Sequence, residues 1–500
     1  MRARLDRRGF LRAMGLGAAA MAIAPRRSTG DTAVAERPNF VIIFTDDQGY
    51  QDLGCFGSPQ IRTPRIDRMA TEGRRFTSFY TQPICGPART AIMTGCYPLR
   101  VGEQGNVKNT HPVVHAKEIT VAEVLKARGY ATAMIGKWDM ARHSQTRFHP
   151  DLMPNGQGFD FFFGTPTSND SIANLYRNGE LIERKADMST LTRRYTDEAI
   201  GFIRRSKDRP LFVYLAHTMP HTRLAASEQF RGKSRRGLYG DVIEEIDWNV
   251  GRILDAIEQL ALTKRTYVIF TSDNGPWLIK KAHGGSALPL RSGKASTWEG
   301  GQRVPCVMWA PGRIPAGTVC DEVASTLDVL PTLAKLAGTA PPADRVIDGH
   351  DISALMHGEA GATSPTEAYY YYLYTHLQAV RSGKWKLHLP RPARPPWVGN
   401  LHWRHIDAKD VFEITHPLLY DLDADVGETT DVAARHPEVI ARLLKLAEKA
   451  REDIGDYNRI GKGARFHDPG PKRPDMNKWN KPPPKRGKRK AKRSASGKGE

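Results

Sequence analysis

Pro38-Asn39-Phe40-Val41-Ile42-Ile43-Phe44-Thr45 runs directly into Asp46-Asp47-Gln48-Gly49-Tyr50. The first stretch is apolar at consecutive rather than alternate positions, the mark of a β-strand buried on both faces. Similar short runs recur at Ala131 to Ile135, Leu211 to Ala216 and Tyr267 to Thr271. Helical patterns lie among them, at Ile119 to Arg128, Thr192 to Arg205 and Tyr239 to Leu260. Strands alternating with helices predict an α/β domain with a largely parallel central sheet flanked by helices. In such sheets function collects at the carboxyl ends of the strands.

Two acidic groups stand at those ends. Asp46-Asp47 closes the first strand, and Asp273-Asn274-Gly275 follows Val268-Ile269-Phe270-Thr271-Ser272. Neighbouring strand residues point to opposite faces, so the two members of a pair share one ion only where the strand gives way to a loop. Three carboxylates and an amide oxygen are hard ligands suited to Ca2+, with Mg2+ as the alternative. Taken singly, either group reads equally as a turn or a cap. A third signal is Cys85-Gly86-Pro87-Ala88-Arg89, closed by Thr94-Gly95. It offers a nucleophile precursor, a proline with fixed φ and a permanently charged fork for an oxyanion. By itself it reads as well as a buried structural cysteine beside an arginine.

The chain has 500 residues, enough for one large domain and a smaller one. Its net charge of +20 suggests a nucleic-acid binder until it is located. The segment from Lys472 to Glu500 carries about half of it, and Met1 to Ala35 about half of the rest, so the body is only mildly basic and no specific nucleic-acid partner is expected. Arg7-Arg8-Gly9-Phe10-Leu11 and the short apolar run from Met14 to Ala24 resemble a bacterial Tat export signal, with cleavage after Ala35. That run is too short for a permanent anchor, and no later stretch is apolar enough to span a membrane. A second region starts near Glu367. Tyr369 to Tyr372 and Ala379 to Leu387 read as hairpin strands with a Ser-Gly turn, followed by a helix from Pro437 to about Ile454. Beyond about Lys462 the chain is rich in Pro, Lys, Arg and Gly and reads as a disordered tail that attracts anionic polymer. Of the five cysteines, Cys55, Cys96, Cys306 and Cys320 remain once Cys85 is set apart, an even number compatible with disulfides or with free thiols.

Taken together, the motifs resemble the type I, formylglycine-dependent sulfatases of the alkaline phosphatase-like superfamily. Pro38 to Gly54 is similar to the family's opening strand and first metal loop, and the Cys85 motif to its modified cysteine. Gly136-Lys137-Trp138 and Ser292-Gly293-Lys294-Ala295-Ser296-Thr297-Trp298-Glu299-Gly300-Gly301 resemble its two lysine segments, and His217-Thr218-Met219-Pro220-His221 its histidine loop. Thr271 to Gly275 matches the second metal loop, and Leu419-Tyr420-Asp421-Leu422 with Gly427-Glu428 the C-terminal element. These cover roughly Pro38 to Ile454 in family order.

The resemblance implies a sulfuric ester hydrolase acting on a sulfated carbohydrate or an aryl sulfate. Cys85 would be oxidised to formylglycine by a formylglycine-generating enzyme. Its hydrate offers one hydroxyl to attack sulfur and another to expel sulfate. Asp46, Asp47, Asp273, Asn274 and the residue-85 oxygen would hold the metal. Arg89 would support the diol, Lys137 and Lys294 would neutralise sulfate oxygens, and His221, with His217 as runner-up, would protonate the leaving oxygen. Trp138 and Trp298 are read as packing. The implied organisation is a signal at 1–35, a catalytic domain at 36–366, a small α+β subdomain at 367–461 and a basic tail at 462–500, in a periplasmic or extracellular bacterial protein. One departure stands out: Asp139 occupies the place where the family carries a histidine. A formylglycine-dependent phosphodiesterase or phosphonate monoester hydrolase is the neighbouring alternative, and a weakened polyanion-binding homologue a third.

Overall fold

The computed structural model describes residues 37–102, 114–141, 148, 150–395 and 405–465. The export-signal reading, residues 466–500 of the basic tail and His143, which the sequence offers beside Lys137 as a pairing partner for Asp139, lie outside them. In chain order the body opens with strand β1 (Asn39–Thr45), helix α1 (Pro64–Thr71), β2 (Arg74–Tyr80), α2 (Cys85–Thr94) and α3 (Val121–Ala127). It continues with β3 (Ala131–Lys137), β4 (Phe161–Thr165), β5 (Leu175–Arg177), β6 (Glu180–Glu183), α4 (Leu191–Arg205), β7 (Leu211–Ala216) and α5 (Leu238–Gln259). Then come β8 (Thr266–Ser272), β9 (Arg303–Trp309), β10 (Thr318–Cys320), β11 (Ala324–Ser325) and α6 (Val329–Leu336).

These strands form one 11-stranded sheet in the order β10-β2-β9-β8-β1-β7-β3-β4-β5-β6, with β11 beside β2. The five strands β8-β1-β7-β3-β4 are mutually parallel, as the unbroken apolar runs predict. Strand β9 runs antiparallel to both β2 and β8, and β5 runs antiparallel to β4 and β6, so the sheet is mixed towards both edges. Strand β9 was not legible in advance because Pro305 demotes its segment in any strand reading.

Strand β1 shows why the sheet is buried on both sides. Phe40, Ile42 and Phe44 enter one core with residues of α2, α3 and α6, such as Ile92, Val121, Leu125 and Leu330. Val41 and Ile43 enter the opposite core with residues of α1, α4 and α5, such as Met69, Tyr195 and Ile246. Burying these five side chains is worth on the order of 10 kcal/mol at about 2 kcal/mol each. Local signals agree with the packing. Thr120 and Glu123 form a capping box at the start of α3, and Asp247 accepts hydrogen bonds from the Arg65 and Ile66 amides at the start of α1. Gly136 in β3 has φ +105°, and a Cβ there would strike the Ala216 carbonyl of β7, so glycine is required just before Lys137.

A second sheet is antiparallel, in the order β12 (Tyr369–Leu373), β13 (His376–Ser382), β14 (Trp385–His388) and β15 (Leu418–Asp421). The expected Ser382-Gly383 turn joins β13 to β14, with Gly383 at φ +58°. Helix α7 (Pro437–Asp453) lays Leu443, Leu446, Ala447 and Ala450 on this sheet. The same core takes in Tyr80, Ala91, Tyr97 and Leu99 from the large sheet's side. Residues 462–465, read from composition as the start of the tail, are held to the body: the Arg465 guanidinium donates to Glu118 at 2.8 Å and its amide to the Arg100 carbonyl. All five cysteines are free thiols. Among the described residues, no helix is long and apolar enough to cross a membrane.

Candidate active site

The parallel strands deliver their terminal residues to one place. Asp46 and Asp47 leave the end of β1, Lys137 is the last residue of β3, His217 and His221 follow β7, and Asp273 and Asn274 follow β8. Asp47 has φ +64°, a left-handed conformation that aspartate tolerates better than most residues. This break in the alternation brings both carboxylates to the same side, as a shared ion requires. Cys85 and Arg89 arrive on the first turns of α2, where unpaired amides and the helix dipole favour negative charge. Lys294 comes from the loop before the single helical turn Glu299–Gln302.

Every one of the nine residues singled out for chemistry is buried here. The Cys85 thiol lies 3.3 Å from Asp46 Oδ1, and Lys294 Nζ donates to both Cys85 Sγ at 3.3 Å and Asp47 Oδ1 at 2.5 Å. Lys137 Nζ donates to Asp46 Oδ2 at 2.6 Å. Arg89 donates to the Lys137 carbonyl at 2.7 Å and to Asp273 Oδ2 at 2.9 Å. Asp273 Oδ1 accepts the Asp47 amide, and Asn274 Nδ2 donates to Asp47 Oδ1. His221 Nε2 stands 3.7 Å from Asp47 Oδ2 and 3.5 Å from Asp170 Oδ1.

Ligand-type atoms of Asp46, Asp47, Cys85 and His221 all lie within 4.8 Å of one another. Asp47 Oδ2 and Asn274 Oδ1 are buried without any hydrogen-bond partner, a state that favours occupation by a cation. The donor set, mostly carboxylate and amide oxygen, fits a hard divalent ion. Asp273, expected in that set, lies in the pocket with its carboxylate given to Arg89 and the Asp47 amide.

The charges explain the titration behaviour. Burial raises the Asp46 pKa, but the Lys137, His221, Arg89 and Lys294 charges outweigh it and hold the carboxyl far below its usual range. Asp273 goes the other way, raised to about 7 by burial and by the Asp46 charge. Lys137 and Lys294 are buried, which lowers their pKa, yet the neighbouring carboxylates raise both on balance. The Cys85 thiol is pushed well up by burial and by Asp273 and Asp46. Unmodified, it is therefore a poor thiolate nucleophile. Burial lowers His217 to about 4 and, with Lys294, lowers His221. Asp139 is buried at φ +55°, with its carboxylate 3.7 Å from Lys137 Nζ. It shares that lysine with Asp46.

The packing readings hold: Trp138 meets Phe159 edge-on, and Trp298 packs against His388 at a tilt of 34° with ring centroids 4.0 Å apart. Sequence reasoning missed Trp277, whose ring lies 5.3 Å from His221 and 5.0 Å from His405. It also missed a buried ionic network behind the Lys294 loop. Glu299 accepts from Tyr80, Tyr371 and Lys386, while Glu428 accepts from the Glu299 amide, Lys386 and His388. These partners lie far apart in the chain, and no local pattern announces them.

A family profile described as Sulfatase matches residues 38–339, more than half of the chain. The chain belongs to the sulfatase family. A second profile, the C-terminal region of aryl-sulfatase, matches residues 364–470 of this sulfatase. It is 39% identical over 474 residues to the N-acetylgalactosamine-6-sulfatase of Canis lupus familiaris, covering 85% of this chain and 88% of the relative. It is 32% identical to the steryl-sulfatase of Homo sapiens, covering 84% and 88%. A solved Bacteroides thetaiotaomicron sulfatase, from work on glycosaminoglycan metabolism, superposes with a TM-score of 0.72 at 27% identity over 83% of this chain and 99% of that one. A phosphonate monoester hydrolase from Silicibacter pomeroyi shares the fold at a TM-score of 0.60 and 15% identity, over 83% of this chain and 95% of that one. The fold is accordingly that of the alkaline phosphatase-like superfamily, and the protein is a sulfuric ester hydrolase. Formylglycine chemistry is general to its family.

Proposed function

We propose that this sulfatase cleaves the sulfate ester of a sulfated carbohydrate at the pocket centred on Cys85. The observation that carries the reading is the position of the Cys85 sulfur, within 3.3 Å of both the Asp46 carboxylate and the Lys294 ammonium. Converted to formylglycine by a formylglycine-generating enzyme, residue 85 supplies a hydrated aldehyde, whose hydroxyls provide a nucleophile for sulfur and a means of expelling sulfate. Asp46, Asp47, Asp273, Asn274 and the residue-85 oxygen would hold Ca2+, with Mg2+ as the alternative. A bound ion of this kind supplies Lewis acidity and favours an ionised nucleophile.

The remaining work falls to side chains. Lys137 and Lys294 neutralise sulfate oxygens as charge builds in the transition state. Arg89 fixes Asp273 and the end of β3, which keeps Lys137 in place, and offers its charge to residue 85. His221 gives a proton to the leaving oxygen. A bound sulfate ester adds negative charge beside His221 and raises its pKa towards the range where it holds that proton.

The name of the N-acetylgalactosamine-6-sulfatase relative supports a carbohydrate substrate, whereas that of the steryl-sulfatase does not. Export by the Tat-like signal, with the mature enzyme outside the cytoplasm, and tethering to anionic polymer through the residues beyond Arg465 belong to the same reading. So does the division into a catalytic part up to 366 and a smaller one from 367.

Two measurements test it. Peptide mass at Cys85 should show the thiol replaced by an aldehyde. Turnover of an aryl sulfate should exceed that of an aryl phosphodiester; the reverse order would favour the phosphodiesterase alternative.

A further inference from the structure

Trp277, His405 and Lys280 lie outside the set of residues assigned to sulfur chemistry, yet they join it without a gap. Lys294, 3.3 Å from Cys85 Sγ, has its ammonium 4.7 Å from the Trp277 ring centroid, and Lys280 has its ammonium 4.0 Å from the same centroid. His221 and His405 sit at 5.3 and 5.0 Å from that ring, tilted by 39° and 41°. The series runs outward from buried His221 and Trp277 to half-buried His405 and Lys280, with half-exposed Asp170 against His221. The series leads from the reacting residue towards solvent past His221, the residue proposed above to protonate the departing alcohol.

This series is polar and unsatisfied. Trp277 Nε1, His221 Nδ1 and His405 Nδ1 are all buried without a hydrogen-bond partner. Folded proteins pair nearly all such atoms, because an orphaned one is costly. Three on one ring stack beside a reaction centre point to a ligand that completes them. Two ammonium groups lie over the Trp277 ring and two tilted imidazoles adjoin it, which makes it a poor stacking platform and leaves its N–H as the group to be read.

We infer that Trp277 and His405 are specificity-determining residues that read the alcohol part of the substrate, and that this part is a sugar rather than a flat aryl ring or a sterol. The inference rests on the Cys85-centred reading above and deepens it. Sugar hydroxyls both donate and accept, which suits an indole N–H beside an imidazole. Burial and Lys294 hold His405 near 4, so its ring is neutral and carries one donor and one acceptor. An aryl or steryl group would leave all three nitrogens unpaired, and a site built for hydrogen bonds rejects a ligand that lacks them.

The test compares kcat/KM for N-acetylgalactosamine 6-sulfate and for 4-nitrophenyl sulfate in wild type, Trp277→Phe and His405→Ala. Trp277→Phe keeps an aromatic ring at the position and removes the N–H together with the five-membered half of the indole, a loss of area that both substrates would feel. Each variant should lose about 5- to 10-fold on the sugar sulfate and less than about twofold on the aryl sulfate. Unfolding midpoints of both variants should stay near wild type, and Cys85→Ala should abolish both activities. Equal losses on the two substrates, or no loss on either, would overturn the inference. So would a wild-type enzyme that cleaves the aryl sulfate but no hexosamine sulfate, an outcome that leaves the Cys85 reading standing. A Cys85→Ala enzyme that keeps its activity would overturn both.

Discussion

Replacing Lys294 by alanine is the most direct test of how the site handles charge. The ammonium lies 2.5 Å from Asp47 Oδ1 and 3.3 Å from the residue-85 sulfur, so a sulfate ester attacked at residue 85 lies within reach of the same group. Unit charges about 4 Å apart interact by roughly 4 kcal/mol at an effective dielectric of about 20. Only the part that grows between bound substrate and transition state accelerates the reaction. Removing one positioned donor from such a site costs about 2.7–4 kcal/mol. At about 1.36 kcal/mol per decade, Lys294→Ala should lower kcat/KM by about 100- to 1,000-fold, with most of the loss in kcat. The assay is steady-state hydrolysis of 4-nitrophenyl sulfate, with rates normalised to the fraction of Cys85 converted, because a loss of conversion would mimic a loss of catalysis. A variant within about threefold of wild type at equal conversion would refute the assignment of Lys294 to transition-state charge.

Other outcomes follow from the same geometry. Burial raises Asp247 to about 7, so the folded chain keeps a proton that the unfolded chain loses near pH 4. Stability should then fall as pH rises from about 4 to about 7, by at most about 4 kcal/mol. Asp247→Asn should remove that fall and melt higher than wild type at pH 8, as scanning calorimetry at two pH values would show. Glu428→Ala leaves Lys386 and His388 short of a partner and the Glu299 amide unpaired, and should destabilise the fold by about 3–5 kcal/mol, whereas Glu428→Gln should cost less in the same melt. Asp139 draws off part of the Lys137 charge. Asp139→Asn should therefore raise kcat/KM for an aryl sulfate by about 3- to 10-fold, and a slower variant would show that the carboxylate contributes to the reaction. Chelator treatment should abolish turnover, and titration with Ca2+ or Mg2+ should restore it.

Much of this site was legible because its residues sit at ends of elements that announce themselves. The β1 run stops at Asp46, the β8 run stops just before Asp273, and Cys85-Gly86-Pro87-Ala88-Arg89 opens a helix. A strand end fixes position as well as identity, so spacing along the chain became proximity in space. Parallel topology did the rest, because β1, β3, β7 and β8 all end on the same side. The break from strand to loop at Asp46-Asp47 was implied by the need to bring two adjacent carboxylates together, whereas the left-handed conformation of Asp47 was not. What could not be read was anything that depends on non-local pairing. His405 lies about 180 residues from His221 along the chain and follows a segment with no periodic pattern. Trp277 looked like any aromatic residue after a strand. Strand β9 was hidden by Pro305, and Glu299 sits in a matching segment without showing that its partners come from β12 and β14. Cys306 and Cys320 flank β2 at the level of Phe76, one on each side, as free thiols, and their spacing in sequence says nothing of this.

The shared core and the Glu299–Lys386–Glu428 network bear on how sulfatases exchange parts. Tyr80 of β2 donates to Glu299, which also takes hydrogen bonds from Tyr371 and Lys386 of the small sheet. A recombination joint near residue 366 therefore cuts through a fully buried charge cluster. A C-terminal half grafted from a homologue lacking matching tyrosine, lysine and glutamate would leave the Glu299 carboxylate to Tyr80 and Arg303 and take Glu428 from its amide. Chimeras along this chain should be most stable when the donor carries that whole set, which favours joint inheritance of the two halves despite their separate sheets.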